Sequence, residues 1–383
     1  MKSTIVRCAV AAAGLGLALT ACSTGASSGG GNSSSSSGAA SAPAGSSVID
    51  RVLTATTGPN GETPTPLTDL TFSDDDLAKL KAGHYTAAQL WHTSSQLVSA
   101  VQNGAEAEFA RLGINVVATA NANMDAGTQA NQVQTAMAKK PSVIIGLPVD
   151  PTSSAAAFQP AVDAGTRLVF MSNVPAGYTY GKQYSSIVTD DLYAMGKRAA
   201  EALGTALGGK GEVGIVFYNA QYYVTNQRDA AFRTTLMKEF PGIKIVAEQG
   251  FSDPNNATGI ASAMLTQHPN LAGIYASWAQ PGEGVLSALR TVGNTTTKVV
   301  TLDLDDPIIV DMATGGSTVA VVADEAWDVG KGMADAAAYS LLGKQAPAFA
   351  VAGALTITKD NITEGYQQSL HSDVPATVRQ VLK

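Results

Sequence analysis

Hydrophobic positions along most of the chain form short, continuous, β-branched runs that alternate with stretches of helical periodicity. One such stretch covers residues 95–112, where the apolar positions recur on a single helix face: Leu97, Val101, Ala105, Phe109 and Leu112. Continuous apolar strands between amphipathic helices are typical of parallel sheets covered on both faces. Because the runs form two series of five, the pattern predicts an α/β protein with two doubly wound parallel-sheet lobes.

The predicted strands locate the functional edge of each lobe. The first series is 87–91, 114–119, 142–148, 167–172 and 184–189, and the second is 212–218, 243–248, 271–277, 298–304 and 318–324. Sheets of this kind bind ligands beyond the carboxyl ends of their strands. We therefore expect the functional side chains where these strands end.

Aromatic, amide and carboxylate side chains are concentrated at these strand exits. The candidate ligand-binding residues are Trp91, His92, Ser95, Gln96, Asn173, Tyr222, Tyr223, Asn226, Phe251, Trp278, Gln280, Asp303 and Asp324. Aromatic faces cover the apolar side of a sugar, carboxylates accept hydrogen bonds from its hydroxyls, and amides both donate and accept. The mixture predicts a site for a sugar or polyol.

Several candidates also have a purely structural interpretation. Asp303 or Asp324 could cap a helix or bridge the lobes. Trp91 could stack on a ligand or merely seal the end of its strand. His92 is expected to be a hydrogen-bonding contact or loop residue and neither a catalyst nor a metal ligand, since the four histidines are scattered along the chain.

The first 21 residues have the pattern of an export signal: a basic start at Lys2 and Arg7, an apolar run, then small residues. Leu19-Thr20-Ala21-Cys22 resembles the bacterial lipobox, whose cysteine becomes the lipidated first residue. We expect a signal peptide over residues 1–21 and lipidation of Cys22. The alternative is a plain secretory signal in which Cys22 is incidental.

A flexible tether is expected over residues 22–47, because 17 of the 25 residues from Ser23 to Ser47 are Ser or Gly. Residues 48–83 are rich in Thr, Pro and Gly and are interpreted as an irregular lead-in that ends with a helix capped by Ser73. Together these segments predict a folded part that is held at the outer face of the bacterial cytoplasmic membrane by its lipid.

Composition and charge exclude several functions. The net charge of −7 becomes −9 once Lys2 and Arg7 leave with the leader, which argues against nucleic acid and against electrostatic binding to an anionic membrane. After the Ser/Gly-rich tether, the chain has no Gly-x-Ser-x-Gly, no P-loop, no dinucleotide fingerprint and no metal-ligand spacing. We therefore expect no catalytic residue, no enzyme activity, no cofactor and no metal site.

From about His84 to the end, the chain resembles the ribose/galactose-type substrate-binding proteins of sugar ABC transporters. The resemblance depends on the order of seven motifs: NGAEAEFARLG, PVDP, VTDD, QRDAAF, LTQHPNLAGIYAS, GVLSALRTVG and VVTLDLD. It implies the type I periplasmic binding fold, in which three segments form a hinge between the lobes. The first lobe would then comprise residues 84–189 with 325–353, and the second residues 190–324 with 354–383.

The resemblance also assigns roles by position. Ser95 and Gln96 match the first ligand loop, and Asn226 matches the second-lobe contact position. Asp303 matches the family's well-kept aspartate, and Asp324 matches the last hinge contact. Arg228 looks like a structural arginine. Trp278 stands where the family has a small amide, Asn173 where it commonly has a charge, and Leu147 where ribose binders have an amide. These departures favour a pentose other than ribose, a short linear polyol or a deoxysugar.

The resulting hypothesis is a lipid-anchored, monomeric solute-binding protein that closes on a sugar or sugar alcohol and delivers it to an ABC permease. The main alternative is a lipoprotein that senses a sugar-like signal or a nucleoside and feeds a signalling partner. A secreted hydrolase would need a catalytic dyad, and a transcriptional regulator of similar fold would need a helix-turn-helix.

Overall fold

The structure is a computed structural model that describes residues 49–50 and 56–382. The predicted signal peptide, the lipidation site at Cys22 and the tether over residues 22–47 lie outside the described residues. Within the described part of the chain, no helix has both the length and the apolar character that a membrane span requires.

The described elements alternate between strands and helices along most of the chain. The strands are β1 (Ile49–Asp50), β2 (Thr65–Pro66), β3 (Thr86–Trp91), β4 (Asn115–Asn121), β5 (Val143–Gly146), β6 (Arg167–Met171), β7 (Ser186–Thr189), β8 (Lys210–Tyr218), β9 (Gly242–Phe251), β10 (Leu271–Ala276), β11 (Lys298–Leu302), β12 (Thr318–Asp324), β13 (Phe349–Val351) and β14 (Ala354–Ile357). The helices are α1 (Asp74–Ala82), α2 (Gln96–Leu112), α3 (Ala126–Met137), α4 (Pro151–Asp163), α5 (Leu192–Ala206), α6 (Tyr223–Glu239), α7 (Ala257–Gln267), α8 (Ala279–Thr291), α9 (Asp306–Ala313), α10 (Ala326–Leu341), α11 (Ile362–Leu370) and α12 (Ala376–Arg379).

The first lobe is built on a parallel sheet with the strand order β2-β13-β7-β6-β5-β3-β4. Helices α1, α2 and α10 cover one face of this sheet, and α3 and α4 cover the other. Strand β5 is buried along its whole length, which explains why its sequence, Val-Ile-Ile-Gly, is continuously apolar.

The second lobe repeats this plan with the strand order β1-β14-β12-β11-β10-β8-β9. Strands β8 to β12 are parallel, whereas β14 pairs antiparallel with both β12 and β1. Helices α5 and α6 pack on one face, and α7, α8, α9, α11 and α12 pack on the other. The prediction of two doubly wound parallel-sheet lobes is confirmed.

Three short segments connect the lobes: residues 189–192 between β7 and α5, residues 324–326 between β12 and α10, and residues 351–354 between β13 and β14. The backbone N–H of Ala352 donates to the carbonyl of Thr189 at 2.8 Å, so two of these segments lie side by side. The expected hinge of three segments is therefore present.

The N-terminal halves of α2 and α10 pack unusually closely beside this hinge. Gly104 of α2 faces the carbonyl oxygen of Trp327, and Gly330 of α10 faces the carbonyl oxygen of Val101. A Cβ atom at either glycine would overlap that backbone oxygen. Glycine at these two positions lets the helices approach each other and holds the start of α2 at the carboxyl edge of the first-lobe sheet.

Candidate ligand-binding site

The exit of β3 carries four of the predicted ligand residues. The side chain of Trp91 is only 1% exposed and packs into the first-lobe core, while its Nε1 atom has no hydrogen-bond partner among the described residues. This burial favours the interpretation that Trp91 seals the strand end. Ser95 caps α2, since its Oγ atom accepts a hydrogen bond from the N–H of Val98 at 3.2 Å.

His92 is partly buried at the same exit, and its carbonyl oxygen accepts a hydrogen bond from the N–H of Met124 at 2.6 Å. Burial lowers the pKa of its imidazole to about 4, so His92 is neutral at physiological pH. Its Nδ1 atom has no partner within the described part of the chain. A neutral imidazole with a free nitrogen can exchange a hydrogen bond with a hydroxyl but supplies no positive charge.

Gln96 makes a direct hydrogen bond between the lobes. Its Nε2 atom donates to Asp306 Oδ1, at the start of α9, over 2.8 Å. Tyr366 Oη donates to the same carboxylate oxygen at 2.7 Å, and Thr377 Oγ1 donates to Oδ2 at 3.1 Å. Asp306 thus fastens the start of α2 to the second lobe. Asp306 was not among the residues predicted from the sequence, because its three partners lie far from it along the chain.

Asn173 also connects the two lobes. It follows β6 directly, after Ser172, whose φ of +52° turns the chain at the strand exit. The Asn173 side chain is 1% exposed, and its Oδ1 atom accepts a hydrogen bond from the N–H of Val224 in α6 at 3.4 Å. Its Nδ2 atom has no hydrogen-bond partner among residues 56–382. A buried amide donor is therefore available at the first-lobe side of the interlobe boundary.

Four aromatic side chains form one cluster at the exits of β8, β9 and β10. Phe251 and Trp278 have ring centroids 5.0 Å apart, and Tyr218 lies 5.6 Å from Trp278 and 5.8 Å from both Phe251 and Tyr222. Most of these contacts are edge-to-face, the arrangement that aromatic pairs prefer. We call Tyr218, Tyr222, Phe251 and Trp278 the aromatic cluster. Three of its members are among the residues predicted from the sequence, whereas Tyr218 falls inside the predicted strand 212–218.

Tyr222 gives the aromatic cluster a polar group. Burial raises the pKa of its phenol more than the neighbouring Asn173 side chain lowers it, so the hydroxyl keeps its proton. Among the described residues, no group forms a hydrogen bond of good geometry with that hydroxyl. The adjacent Tyr223 is used differently, because its hydroxyl donates to the carbonyl of Thr57 in the lead-in. The two neighbouring tyrosines therefore do not share one role.

Asn226 and Gln280 lie on the second lobe. Asn226 lines an open groove of about 400 Å³ together with Asn219 and Gln221. Gln280 is exposed, and its Nε2 atom donates to Asn255 Oδ1 at 3.4 Å. The structure thus gives the two amides different second-lobe partners.

The carboxyl ends of β11 and β12 meet at a buried arginine. Arg228 of α6 donates from Nη1 to Asp303 Oδ1 at 2.8 Å and from Nη2 to Asp324 Oδ1 at 2.6 Å. The carboxyl group of Asp190, in the first connection between the lobes, interacts in turn with that of Asp324. We call Asp190, Asp303, Asp324 and Arg228 the hinge carboxyl cluster. Asp303 has a φ of +64°, a strained conformation for a residue other than glycine.

Burial raises the pKa of each carboxyl group in this cluster, to about 6 for Asp190, about 7 for Asp324 and about 8 for Asp303. Burial alone would lower the pKa of Arg228, but the charges of Asp303 and Asp324 outweigh this effect and raise it. Arg228 therefore stays charged, and one guanidinium faces three carboxyl groups. The interpretation of Arg228 as a structural arginine agrees with this geometry. Asp190 was not among the candidate residues predicted from the sequence.

Within the described residues, no three His, Cys, Asp or Glu side chains are placed to hold a metal ion. What the strand ends offer instead is an aromatic surface, buried amide and phenol donors, and carboxyl groups around one neutralised cation. Two α/β lobes joined by three short segments, with such groups at their carboxyl edges, are typical of proteins that bind a small molecule.

A family model described as a periplasmic binding protein domain matches residues 89–345, which is more than half of the chain. The chain belongs to the periplasmic binding protein family. Members are exported, non-enzymatic components of transport systems, so the expectation that the protein is not an enzyme is confirmed. No curated protein sequence matches the chain significantly.

Solved structures of transport proteins are similar to the chain. A solute-binding protein of an ABC transporter from Agrobacterium vitis, bound with α-D-tagatopyranose, is 26% identical with a TM-score of 0.67, over 73% of this chain and 96% of that one. A solute-binding protein from Mycobacterium smegmatis with bound glycerol is 26% identical with a TM-score of 0.65, over the same shares. The resemblance to substrate-binding proteins of sugar ABC transporters is confirmed.

A third structure supports the fold alone. The carbohydrate transporter solute-binding protein from Agrobacterium radiobacter, in complex with D-arabinose, is 22% identical with a TM-score of 0.66. The alignment covers 76% of this chain and 99% of that chain.

Proposed function

We propose that the protein is the solute-binding lipoprotein of an ABC importer and that it captures a sugar or sugar alcohol, with a pentose or short polyol favoured. The observation that carries this proposal is the position of the aromatic cluster beside the hinge carboxyl cluster, at the carboxyl ends of adjacent second-lobe strands. An aromatic face next to hydrogen-bond acceptors suits a ligand with apolar C–H faces and several hydroxyls.

The charge of the site supports a neutral ligand. Arg228 is only 3% exposed and already bonded to two carboxylates, so it does not offer a free positive charge to an anionic solute. His92 is neutral at physiological pH. The tagatose-bound and glycerol-bound relatives agree with a hydroxyl-rich solute, and they include both a hexose and a short polyol.

Calorimetric titration against a panel tests the ligand class. The panel would hold D-arabinose, D-tagatose, D-allose, glycerol, several alditols and, for the sensing alternative, ribonucleosides. We expect one-site binding of a pentose or polyol. No binding by any carbohydrate, or tighter binding of a nucleoside, would contradict the proposal.

Asp303→Asn tests whether the hinge carboxyl cluster contacts the ligand. The amide can still accept a hydrogen bond from Arg228 but is a weaker acceptor for ligand hydroxyls, so we expect at least tenfold weaker binding, or about 1.4 kcal/mol. Asp360→Asn is the matched control, because Asp360 is exposed and follows β14, whose antiparallel direction places its end at the sheet edge opposite the exits of β11 and β12. Unchanged affinity in Asp303→Asn would remove Asp303 from the site.

The lipid anchor is a separate part of the proposal. It is supported by the Leu19-Thr20-Ala21-Cys22 motif and by the Ser/Gly-rich residues after it. Metabolic labelling with a fatty acid should mark the wild-type protein and leave Cys22→Ser unlabelled. Equal labelling of the two proteins would exclude Cys22 as the lipidated residue.

A further inference from the structure

Buried carboxyl groups tie together all three segments that connect the lobes. The N–H of Glu325, in the second segment, donates to Asp190 Oδ1, in the first, at 2.8 Å. The N–H of Gly353, in the third segment, donates to Glu325 Oε2 at 2.6 Å. Asp190 is fully buried and Glu325 is 3% exposed, so solvent does not compete for these bonds. A change of charge at Asp190 therefore acts directly on the hinge.

The hinge carboxyl cluster contains more acids than its cation can neutralise. Arg228 is bonded to one oxygen of Asp303 and to one oxygen of Asp324. The Oδ2 atoms of Asp190 and Asp324 are both buried and have no hydrogen-bond donor among the described residues. Two buried carboxyl groups in direct contact are stable only when one of them carries a proton, which then forms a hydrogen bond between them.

Within residues 56–382, the charged and titratable groups around this cluster do not supply a second cation. Glu325, Asp305, Asp229, Tyr222 and Tyr275 surround it. Asp229 accepts hydrogen bonds from Tyr275 and Ser277, and Arg233, the nearest other arginine in α6, is paired with Glu248 at 2.6 Å. These described neighbours are thus acidic or neutral.

We propose that Asp190 is a positioning residue that shares a proton with Asp324 in the ligand-free protein, and that sugar binding at Asp303 releases this proton to solvent. Asp303 is the accessible edge of the cluster, with 17% of its side chain exposed, whereas Asp324 and Asp190 are buried. The inference rests on the proposed function in assuming that a ligand hydroxyl donates to Asp303.

Hydrogen bonding determines whether sugar binding releases or takes up the proton. A ligand hydroxyl that donates to Asp303 stabilises its ionised form and leaves Arg228 more fully available to Asp324, so the carboxyl groups hold their proton less tightly. Binding then becomes tighter as the pH rises from about 6 to about 8, the range in which the carboxyl groups of the cluster titrate. The association constant should increase by up to about tenfold per pH unit, the limit for release of one proton.

Calorimetry in two buffers measures this proton directly. The wild-type protein would be titrated at pH 7 with D-arabinose, or with the panel sugar that binds it, in phosphate and in Tris, which differ strongly in their enthalpy of ionisation. The difference in binding enthalpy gives the number of protons released, and we expect a value between zero and about one per sugar. The affinity would be measured in parallel across the same pH range.

Asp190→Asn tests the residue itself. Its amide oxygen can still accept the hydrogen bond from Glu325, and its amide nitrogen can donate to Asp324, so the contact survives without a titrating proton. We expect proton release near zero and an affinity that is independent of pH. Asp335→Asn is the matched control: Asp335 is a buried carboxyl group of α10 that contacts Glu108 and not the hinge, so this variant should release as many protons as the wild type.

The outcomes separate this inference from the proposed function. Sugar binding without proton release, or equal release by Asp190→Asn and the wild type, overturns the inference and leaves the function intact. If no panel sugar binds, the proposed function and the coupling of sugar binding to proton release fail together. Thermal unfolding without ligand then tests whether Asp190 and Asp324 share a proton. The wild type should lose stability between pH 6 and pH 8 more steeply than Asp190→Asn. Equal slopes refute it.

Discussion

Replacing Arg228 with Met should destabilise the fold strongly, because it leaves Asp303 and Asp324 without their cation. The guanidinium is 3% exposed and makes two charged hydrogen bonds, of 2.8 and 2.6 Å. Removing one partner of a buried ion pair costs about 3–5 kcal/mol, and Met fills much of the same volume, so the loss would be electrostatic. Urea unfolding followed by tryptophan fluorescence would measure it.

The pH dependence distinguishes this mechanism from a packing defect. Each raised carboxyl pKa contributes stability that is complete below the unfolded value near 4 and is lost as the pH rises through the folded value, here about 6 to 8. Without Arg228 these pKa values rise further. The variant should therefore be less impaired at pH 5, where the acids are neutral, than at pH 8.

Arg233→Met is the matched control in the same helix. Arg233 and Glu248 form an ion pair whose side chains are 26% and 39% exposed, and such surface pairs contribute about 0–1 kcal/mol. A loss below about 1 kcal/mol for Arg228→Met at pH 8, or a loss equal to that of Arg233→Met, would refute the reasoning.

Three further predictions concern packing, closure and pH. Gly330→Ala should destabilise the protein by about 1–3 kcal/mol or more in urea unfolding, because its Cβ meets a backbone oxygen. The control Gly259→Ala, in an open helical position, should stabilise the protein by about 0.5–1 kcal/mol. Equal effects of the two substitutions would contradict the close contact between the helices. Gln96→Ala removes the bond to Asp306 between the lobes and should shift small-angle scattering toward a more open average shape, which an unchanged radius of gyration would disprove. Burial raises the pKa of Asp335 to about 7, so the wild type loses stability as the pH rises toward 7 and Asp335→Asn should lose less. A dependence of stability on pH identical to that of the wild type would count against the raised pKa.

The central strands could be predicted from the sequence because burial on both faces leaves a continuous apolar run in each of them. The run over residues 142–148 corresponds to β5, and that over residues 318–324 corresponds to β12 with the same bounds. The sequence did not reveal β1, β2, β13 and β14, each of two to four residues, because so few residues show no periodicity. Their pairing is determined by where the chain returns to each lobe.

Side chains at the strand exits were identified from the rule that ligands bind beyond the carboxyl ends of parallel strands. Their partners were not, because contacts between residues far apart in the chain carry no local pattern. Gln96 and Asp306 are 210 positions apart, and Asp190 meets Asp324 only because the hinge segments lie side by side. Trp91 is a similar case, since its burial depends on how α2 packs over β3.

A crystal structure of the protein with the panel sugar that binds most tightly would test the central claim most directly. The account predicts one sugar between the lobes, with an apolar face against Tyr222 or Trp278 of the aromatic cluster and a hydroxyl within hydrogen-bonding distance of Asp303. A sugar bound outside the interlobe boundary, or one without contact to either cluster, would contradict it.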